Sequence, residues 1–329
     1  MPSHDVMPNM ELYQPVQVED ALEIADRLAD RGWLVGGGQD TYGWLKDRAK
    51  DVDALIDLSA IESLRGIRET ADGVEIGALT TLTEIINSDV LKNSYALLTD
   101  AAGVVASPQI RNIGTLGGNV SQDVRCWYYR RGLSCYRAGG NLCYADTPEG
   151  MNREHALFDA SRCVAAGASD TSSALVALDA SMVIENSGGE RVVSAEDFFV
   201  GPANDIENTT ILRPGDILTA VRIPSTWANA SFYWEKVADR NVWDFSLVNI
   251  AAAFKLSGGN ITDSRIVAGA VQTTPRRLTN VESAVQGQPK NQETGESVMN
   301  MATDGARTLA HNGFKVPLLQ NLVKRAISA

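Results

Sequence analysis

The sequence predicts an interleaved α+β protein, on three observations. Helical and extended periodicities alternate from the first residues onward, and several strand-like runs end in glycine turns. The third observation is size: 329 residues exceed what one hydrophobic core organises, so two or three compact units are expected. At 44% hydrophobic and 21% charged the composition is that of an ordinary globular chain. A formal charge of −12 argues against nucleic acid as a partner. No apolar run approaches the ~18 residues of a membrane span.

Taken in order, residues 10–40 read as strand, helix and strand. After Pro15 the apolar positions Val18, Ala21, Leu22, Ile24, Ala25 and Leu28 follow helical spacing, and the helix is expected to end near Gly32. Trp33, Leu34 and Val35 then run extended into three glycines. Extended pieces follow at 54–58 and 74–79, and a helical pattern at 82–106 has Thr80 or Thr81 available as its cap. A β-α-β opening of this kind places its loops at strand ends, where ligands bind. Beyond residue 168, the stretch SALVALDASMVIENSGGERVVSAEDFF reads as paired strands around a Gly188-Gly189 turn, with Val183, Ile184, Val192 and Val193 as apolar partners. Further strands are predicted at 217–223, 247–256 and 265–270, the last two flanking SGGN. Helices are predicted at 281–285 and 297–309.

All four cysteines, Cys126, Cys135, Cys143 and Cys163, fall in one Gly- and Arg-rich stretch, which points to a shared ligand. Disulfides would need an oxidising compartment, and the opening MPSHDVMPNM has no basic or apolar leader pattern. Zinc sites usually show tight C-x2-4-C pairs, whereas the gaps here are eight, seven and nineteen residues. Wide, uneven gaps favour a loop around a larger inorganic core, a 4Fe-4S cluster, with zinc, disulfides or unrelated thiols as the alternatives. Arg125, Arg130, Arg131 and Arg137 flank the thiols, either to favour thiolate or as a solvated basic loop. Trp127, Tyr128 and Tyr129 are placed to shield such a site or to pack the loop. His4, His155 and His311 show no metal-binding spacing; His155, inside the loop, is expected to neighbour the cluster or to hydrogen-bond the loop backbone.

Two glycine loops stand out. Gly36-Gly37-Gly38-Gln39-Asp40 follows a predicted strand, and missing Cβ atoms let successive N–H groups face a diphosphate. Thr115-Leu116-Gly117-Gly118-Asn119 adds a hydroxyl and an amide for ribityl or phosphate oxygens. Each alone reads first as a tight turn. Neither is G-x-G-x-x-G, so a Rossmann frame is not expected. Their coincidence favours one extended nucleotide cofactor.

With these residues in view, the chain resembles the FAD-binding medium subunit of the molybdenum hydroxylases, the family of xanthine dehydrogenase, carbon monoxide dehydrogenase and aldehyde oxidoreductases. The likeness runs over nearly the whole chain: VGGGQD, IGALTTLTEI, ASPQIRNIGTLGGNV, the ASD near 170, FYWEKVADRN and SLVNIAAAF. The segments RCWYYRRGLSCYRAGGNLCYA and HALFDASRCVAAGASD are similar to the subset with an additional 4Fe-4S cluster, above all the flavin subunit of bacterial aldehyde oxidoreductases. The resemblance implies an FAD-binding fold of the vanillyl-alcohol-oxidase type. Its subdomains would be 1–60, then 61–225 with the iron–sulfur loop at about 122–168, followed by an α+β subdomain at 226–329.

The same resemblance implies that Val35, Gly36, Gly37, Gly38, Gln39 and Asp40 wrap the FAD diphosphate, with Gln39 where many relatives carry Thr or Ser. Thr115, Gly117, Gly118 and Asn119 match the second flavin loop, Asp170 an acid toward the flavin hydroxyls, and Lys236 a lysine near the flavin. Read by themselves, Asp170 is equally a cap and Lys236 a solvated surface charge. Cys126, Cys135, Cys143 and Cys163 match the cluster ligands. The implied function is electron transfer from 2Fe-2S centres on a partner chain through FAD to an external acceptor, during aldehyde oxidation. A molybdopterin-binding large subunit and a 2Fe-2S small subunit are the implied partners, and this chain carries no catalytic residue for the organic substrate. A stand-alone FAD oxidase or reductase and a zinc-binding scaffold are the alternatives. The expected compartment is the cytoplasm, or the periplasm by co-export with a signal-bearing partner.

Overall fold

The computed structural model describes residues 6–329. Three sheets follow one another along the chain. Strands β1 (Glu11–Tyr13), β2 (Gly32–Val35) and β3 (Ala54–Asp57) form a parallel sheet in the order β1-β3-β2. Strands β4 (Ile67–Thr70), β5 (Gly73–Gly77), β6 (Ser181–Asn186), β7 (Gly189–Ser194) and β8 (Ile217–Pro224) form an antiparallel sheet in the order β4-β5-β8-β6-β7. Strands β9 (Ser231–Val237), β10 (Val248–Ser257), β11 (Asn260–Gly269) and β12 (Arg276–Arg277) complete an antiparallel sheet in the order β12-β11-β10-β9. The architecture is the α+β arrangement the periodicities predict.

The local causes are readable. Helix Val18–Leu28 buries Ala21 and Ala25 against Ile56 and Leu58, with Glu19 and Asp20 in its first turn and Arg27 in its last, as the helix dipole favours. Helix Leu82–Asn87 starts at a capping box: the Thr81 hydroxyl accepts from the Glu84 N–H at 3.2 Å, and the Glu84 carboxylate accepts from the Thr81 N–H at 2.7 Å. The expected helical stretch 82–106 is three short helices, Leu82–Asn87, Asp89–Ser94 and Ala96–Gly103.

Two expectations are corrected. Residues 173–177, read as strand, belong to helix Asp170–Ala177, all eight residues of which are buried. Packed on every side, that helix has no polar face, so its short apolar run shows no helical period. The expected helix 297–309 is absent: Gln292–Val298 runs into a 3-10 turn at Met299–Thr303, and Gly305 has φ +78°. The terminal helix is Lys315–Ser328 instead, burying Leu319, Leu322, Val323, Ala326 and Ile327 among Val248, Ile250 and Ile266. Its Pro317 lies in the first turn, where no intrahelical N–H donor is needed.

Candidate functional site

The carboxyl end of β2 delivers Val35 into the first glycine loop, and the second loop docks beside it. Leu116 N–H donates to Thr80 O, Gly117 N–H to Ala78 O and Leu82 N–H to Gly114 O. The loops then lock together: the Thr115 hydroxyl donates to Gly36 O at 2.7 Å and accepts from the Gly118 N–H at 3.2 Å. Close approach demands glycine here. A Cβ on Gly37, at φ +98°, would lie 2.3 Å from Ile113 O, and one on Gly38, at φ +72°, 2.6 Å from the Tyr42 ring.

The cavity between the loops measures about 280 Å³. It gathers most of the flavin residues expected from sequence: Gly36, Gly38, Gln39, Asp40, Thr115, Gly118, Asn119, Asp170 and Lys236. Three do not line it. Val35 is buried beneath the loop, Gly37 packs on Ile113, and Gly117 packs on Ala78, where a Cβ would sit 2.9 Å away. Arg125, Trp243 and Phe245 line the cavity without having been expected to. Only aromatic residues in a polar loop, VWDFS, signalled the last two.

Asp170 and Lys236 form the cavity's buried charged knot. Lys236 Nζ donates to Asp170 Oδ2 at 2.7 Å and to Val104 O at 3.1 Å. Asp170 Oδ1 accepts from the Ser246 hydroxyl at 2.6 Å and the Asn249 amide at 3.3 Å. The reading of Lys236 as a solvated surface charge is therefore overturned, because its side chain is 8% exposed. Nor is Asp170 the helix cap; Ser169 is, accepting from the Ser172 N–H at 3.1 Å.

The four cysteines line one smaller cavity, with Tyr128, Tyr129, Arg137, Tyr144 and His155 around them. They are free thiols, which overturns the disulfide alternative. Among the described residues no three His, Cys, Asp or Glu side chains form a group able to hold a single metal ion. Burial pushes the Cys126 thiol up to about 11 and raises Cys163. Those two thiols therefore stay protonated unless a cationic group takes the protons' place. His155 Nε2 lies 3.4 Å from Cys126 Sγ, so the ring meets a thiol and not the loop backbone. Its buried Nδ1 has no hydrogen-bond partner, and burial, reinforced by the Lys315 charge, lowers its pKa to about 4. His4 lies outside the described residues.

The flanking arginines are not a solvated loop. Arg137, 3% exposed, donates to Asp123 at 2.8 Å and to Ile206 O at 3.1 Å. Arg125 and Arg130 both pair with Asp40; only Arg131 is exposed. Tyr129 packs on Trp44 at 5.1 Å between ring centroids and Tyr128 stacks on Tyr144 at 5.8 Å, whereas Trp127 is largely solvent-exposed. Asp123, which sequence reading missed, is the anion that organises this region, also meeting Lys50 at 3.2 Å. An acid directly before a basic cysteine loop was its signal. No helix among the described residues is long and apolar enough to cross a membrane.

Comparison with known proteins fits this geometry. The chain is 25% identical over 98% of its length to the carbon monoxide dehydrogenase medium chain of Hydrogenophaga pseudoflava, 98% of which is covered. It is 29% identical to the aldehyde oxidoreductase FAD-binding subunit PaoB of Escherichia coli, over 96% of each chain. A solved structure of the Hydrogenophaga enzyme, in a form lacking the Mo-pyranopterin moiety, superposes with a TM-score of 0.78 over 98% of this chain and 97% of that one, at 25% identity. Residues 8–226 match the FAD binding domain in molybdopterin dehydrogenase and residues 234–329 the CO dehydrogenase flavoprotein C-terminal domain, so the chain belongs to the FAD-binding medium-subunit family of the molybdenum hydroxylases and is an oxidoreductase component.

Proposed function

We propose that this chain is the electron-transferring flavin component of a heteromeric molybdenum hydroxylase acting in aldehyde oxidation, with FAD and a 4Fe-4S cluster as its cofactors. Its partners in this reading are a molybdopterin-binding large chain, a 2Fe-2S small chain and an external electron acceptor. The observation that carries the proposal is that both glycine loops meet on one cavity whose wall, at Asp40 and Arg125, adjoins the four-cysteine nest. When bound, FAD supplies a centre that exchanges electrons singly or in pairs, and the cluster one that exchanges them singly.

The chain's own residues hold and insulate these groups. Gly36, Gly38, Gln39, Thr115, Gly118 and Asn119 would bind the FAD, Gly37 fixes the loop's path, and the Asp170–Lys236 knot keeps one wall rigid. Cys126, Cys135, Cys143 and Cys163 would bind the cluster, with the stacked tyrosines excluding water. Zinc needs thiolates about 2.3 Å from one ion. Among the described residues no side chains converge in that way, which speaks against zinc; the cluster reading rests on the four thiols lining one cavity.

Purified protein is expected to show flavin absorbance with about one FAD and about four irons per chain. Neither flavin nor iron would remove the proposal, and a colourless protein holding zinc would favour a scaffold. The isolated chain should oxidise aldehydes little until the partner chains are added. Full turnover by the chain alone would favour a stand-alone flavin enzyme.

A further inference from the structure

Asp40 lines the flavin cavity, and its carboxylate is held by protein donors. Oδ1 accepts from the guanidinium groups of Arg125 and, at 3.2 Å, Arg130; Oδ2 accepts from the Trp44 indole N–H at 2.9 Å. A free carboxylate facing a diphosphate would repel it, and here two arginines neutralise the charge. Both arginines belong to the cysteine loop, Arg125 directly preceding Cys126 and Arg130 ending the helix Trp127–Arg130 that follows it.

The seat is built for them. Helix Thr41–Lys46, which continues from the glycine loop, has glycine at 43, and a Cβ there would lie 2.4 Å from Arg130 Nη2. Arg130 lies over the Trp44 ring at 4.2 Å, Trp44 is fully buried, and it shares an apolar cluster with Cys126, Cys135 and Cys163. Arg125 lies over Phe245, itself a wall of the flavin cavity, at 4.8 Å. One end of this short helix thus shapes the flavin cavity while its side packs the cysteine nest.

We propose that Asp40 is a latch joining the two sites, a positioning residue through which FAD binding and metal binding stabilise each other. This rests on the two-cofactor reading above. Coupling must then be reciprocal, each ligand tightening the other by the same factor, and intersite couplings are typically about 5- to 150-fold.

The test is an FAD titration of flavin-stripped protein, followed by flavin fluorescence, with the metal in place and after its removal by chelation. The wild type is expected to bind FAD about tenfold more weakly without metal. In Asp40→Asn that ratio should fall to within about twofold, and in Gly43→Ala, whose methyl displaces the Arg130 guanidinium but leaves Asp40 intact, it should fall part of the way. If Asp40 merely touched FAD, Asp40→Asn would weaken both affinities and keep the ratio; that result overturns the latch. Hydrogen exchange gives a readout that needs no metal. Adding FAD should protect residues 123–131 in the wild type and leave them unprotected in Asp40→Asn. A protein without iron that still shows this protection would sink the cluster reading and with it the coupling to metal, leaving Asp40 only as the tie from the flavin cavity to the cysteine loop, whereas no protection in the wild type sinks the latch whatever the metal content.

Discussion

At the residue scale one hydroxyl joins two loops that are 79 residues apart. Thr115 both ties Gly36 O and caps the following turn at Gly118. Removing it in Thr115→Ala leaves a carbonyl and an N–H short of partners, at a cost of about 1–2 kcal/mol. The expected outcome is a lower urea midpoint with partial loss of bound flavin, and Thr115→Ser should recover most of both. If the alanine variant keeps its flavin and its midpoint, the loops are held by something other than this bond. Gly37→Ala is expected to be worse, since its added methyl meets Ile113 O, a backbone atom that cannot swing aside, at a φ that L residues rarely adopt. Flavin content per chain after purification reads the difference.

At the element scale the terminal helix is fastened by a lysine with no exposed surface. Lys315 Nζ donates to Glu154 O and Ala270 O, both at 2.9 Å, while Asn312 Nδ2 donates to His155 O and Ala156 O at 3.2 and 3.0 Å. The helix start thereby grips the segment that carries His155. Burial lowers the Lys315 pKa to about 7, against the Glu154 charge, which raises it, and a neutral amine has the two N–H donors that two carbonyls need. The unfolded chain, with the ordinary lysine value near 10.5, binds more protons between those values, so the folded state gains stability as pH rises from about 7 toward 10. Lys315→Met lacks this gain. The wild type's advantage in urea denaturation should therefore widen by about 1–2 kcal/mol between pH 7 and 9, and an unchanged gap would show that Lys315 stays charged.

How much of this was legible in the sequence depends on whether an element has two unlike faces. Helix Val18–Leu28 and the hairpin at Gly188-Gly189 have such contrast, and their patterns announced them. The buried helix Asp170–Ala177 has none. For Lys315–Ser328, the missed terminal helix, Pro317 in the first turn obscured a regular apolar stripe. The glycine loops were visible because runs of glycine suit a crowded backbone, as at Gly37 and Gly117. The partners of Asp40, Asp123 and Asp170 were not, since each lies dozens of residues away or turns on which way a carboxylate faces.

At the scale of the whole molecule, the proposed flavin cavity has walls from parts of the chain that fold into separate sheets. Ala251, Ala253 and Val267 of the last sheet belong to the same core as Ile76 and Val221 of the preceding one and the helical residues Leu97 and Leu175, so apolar burial makes the two cooperative. One polar tie across that contact is the Asp170 knot, which joins helix Asp170–Ala177 to β9 through Lys236 and to β10 through Asn249; Arg265 of β11, donating to Val176 O at 3.0 Å, is another. Asp170→Ala would strand a buried ammonium with only Val104 O for a partner, a defect costing about 3–5 kcal/mol. Since the shared apolar core survives the substitution, the damage should fall on the cavity wall before it reaches either sheet. Flavin release and loss of far-UV circular dichroism should coincide on heating the wild type and separate in Asp170→Ala, flavin leaving first. Asp170→Asn, which keeps an acceptor but no charge, should fall between them. Coincident transitions in Asp170→Ala would mean that the knot adds to global stability without fixing the cavity, and the flavin site would then owe its shape to the glycine loops alone.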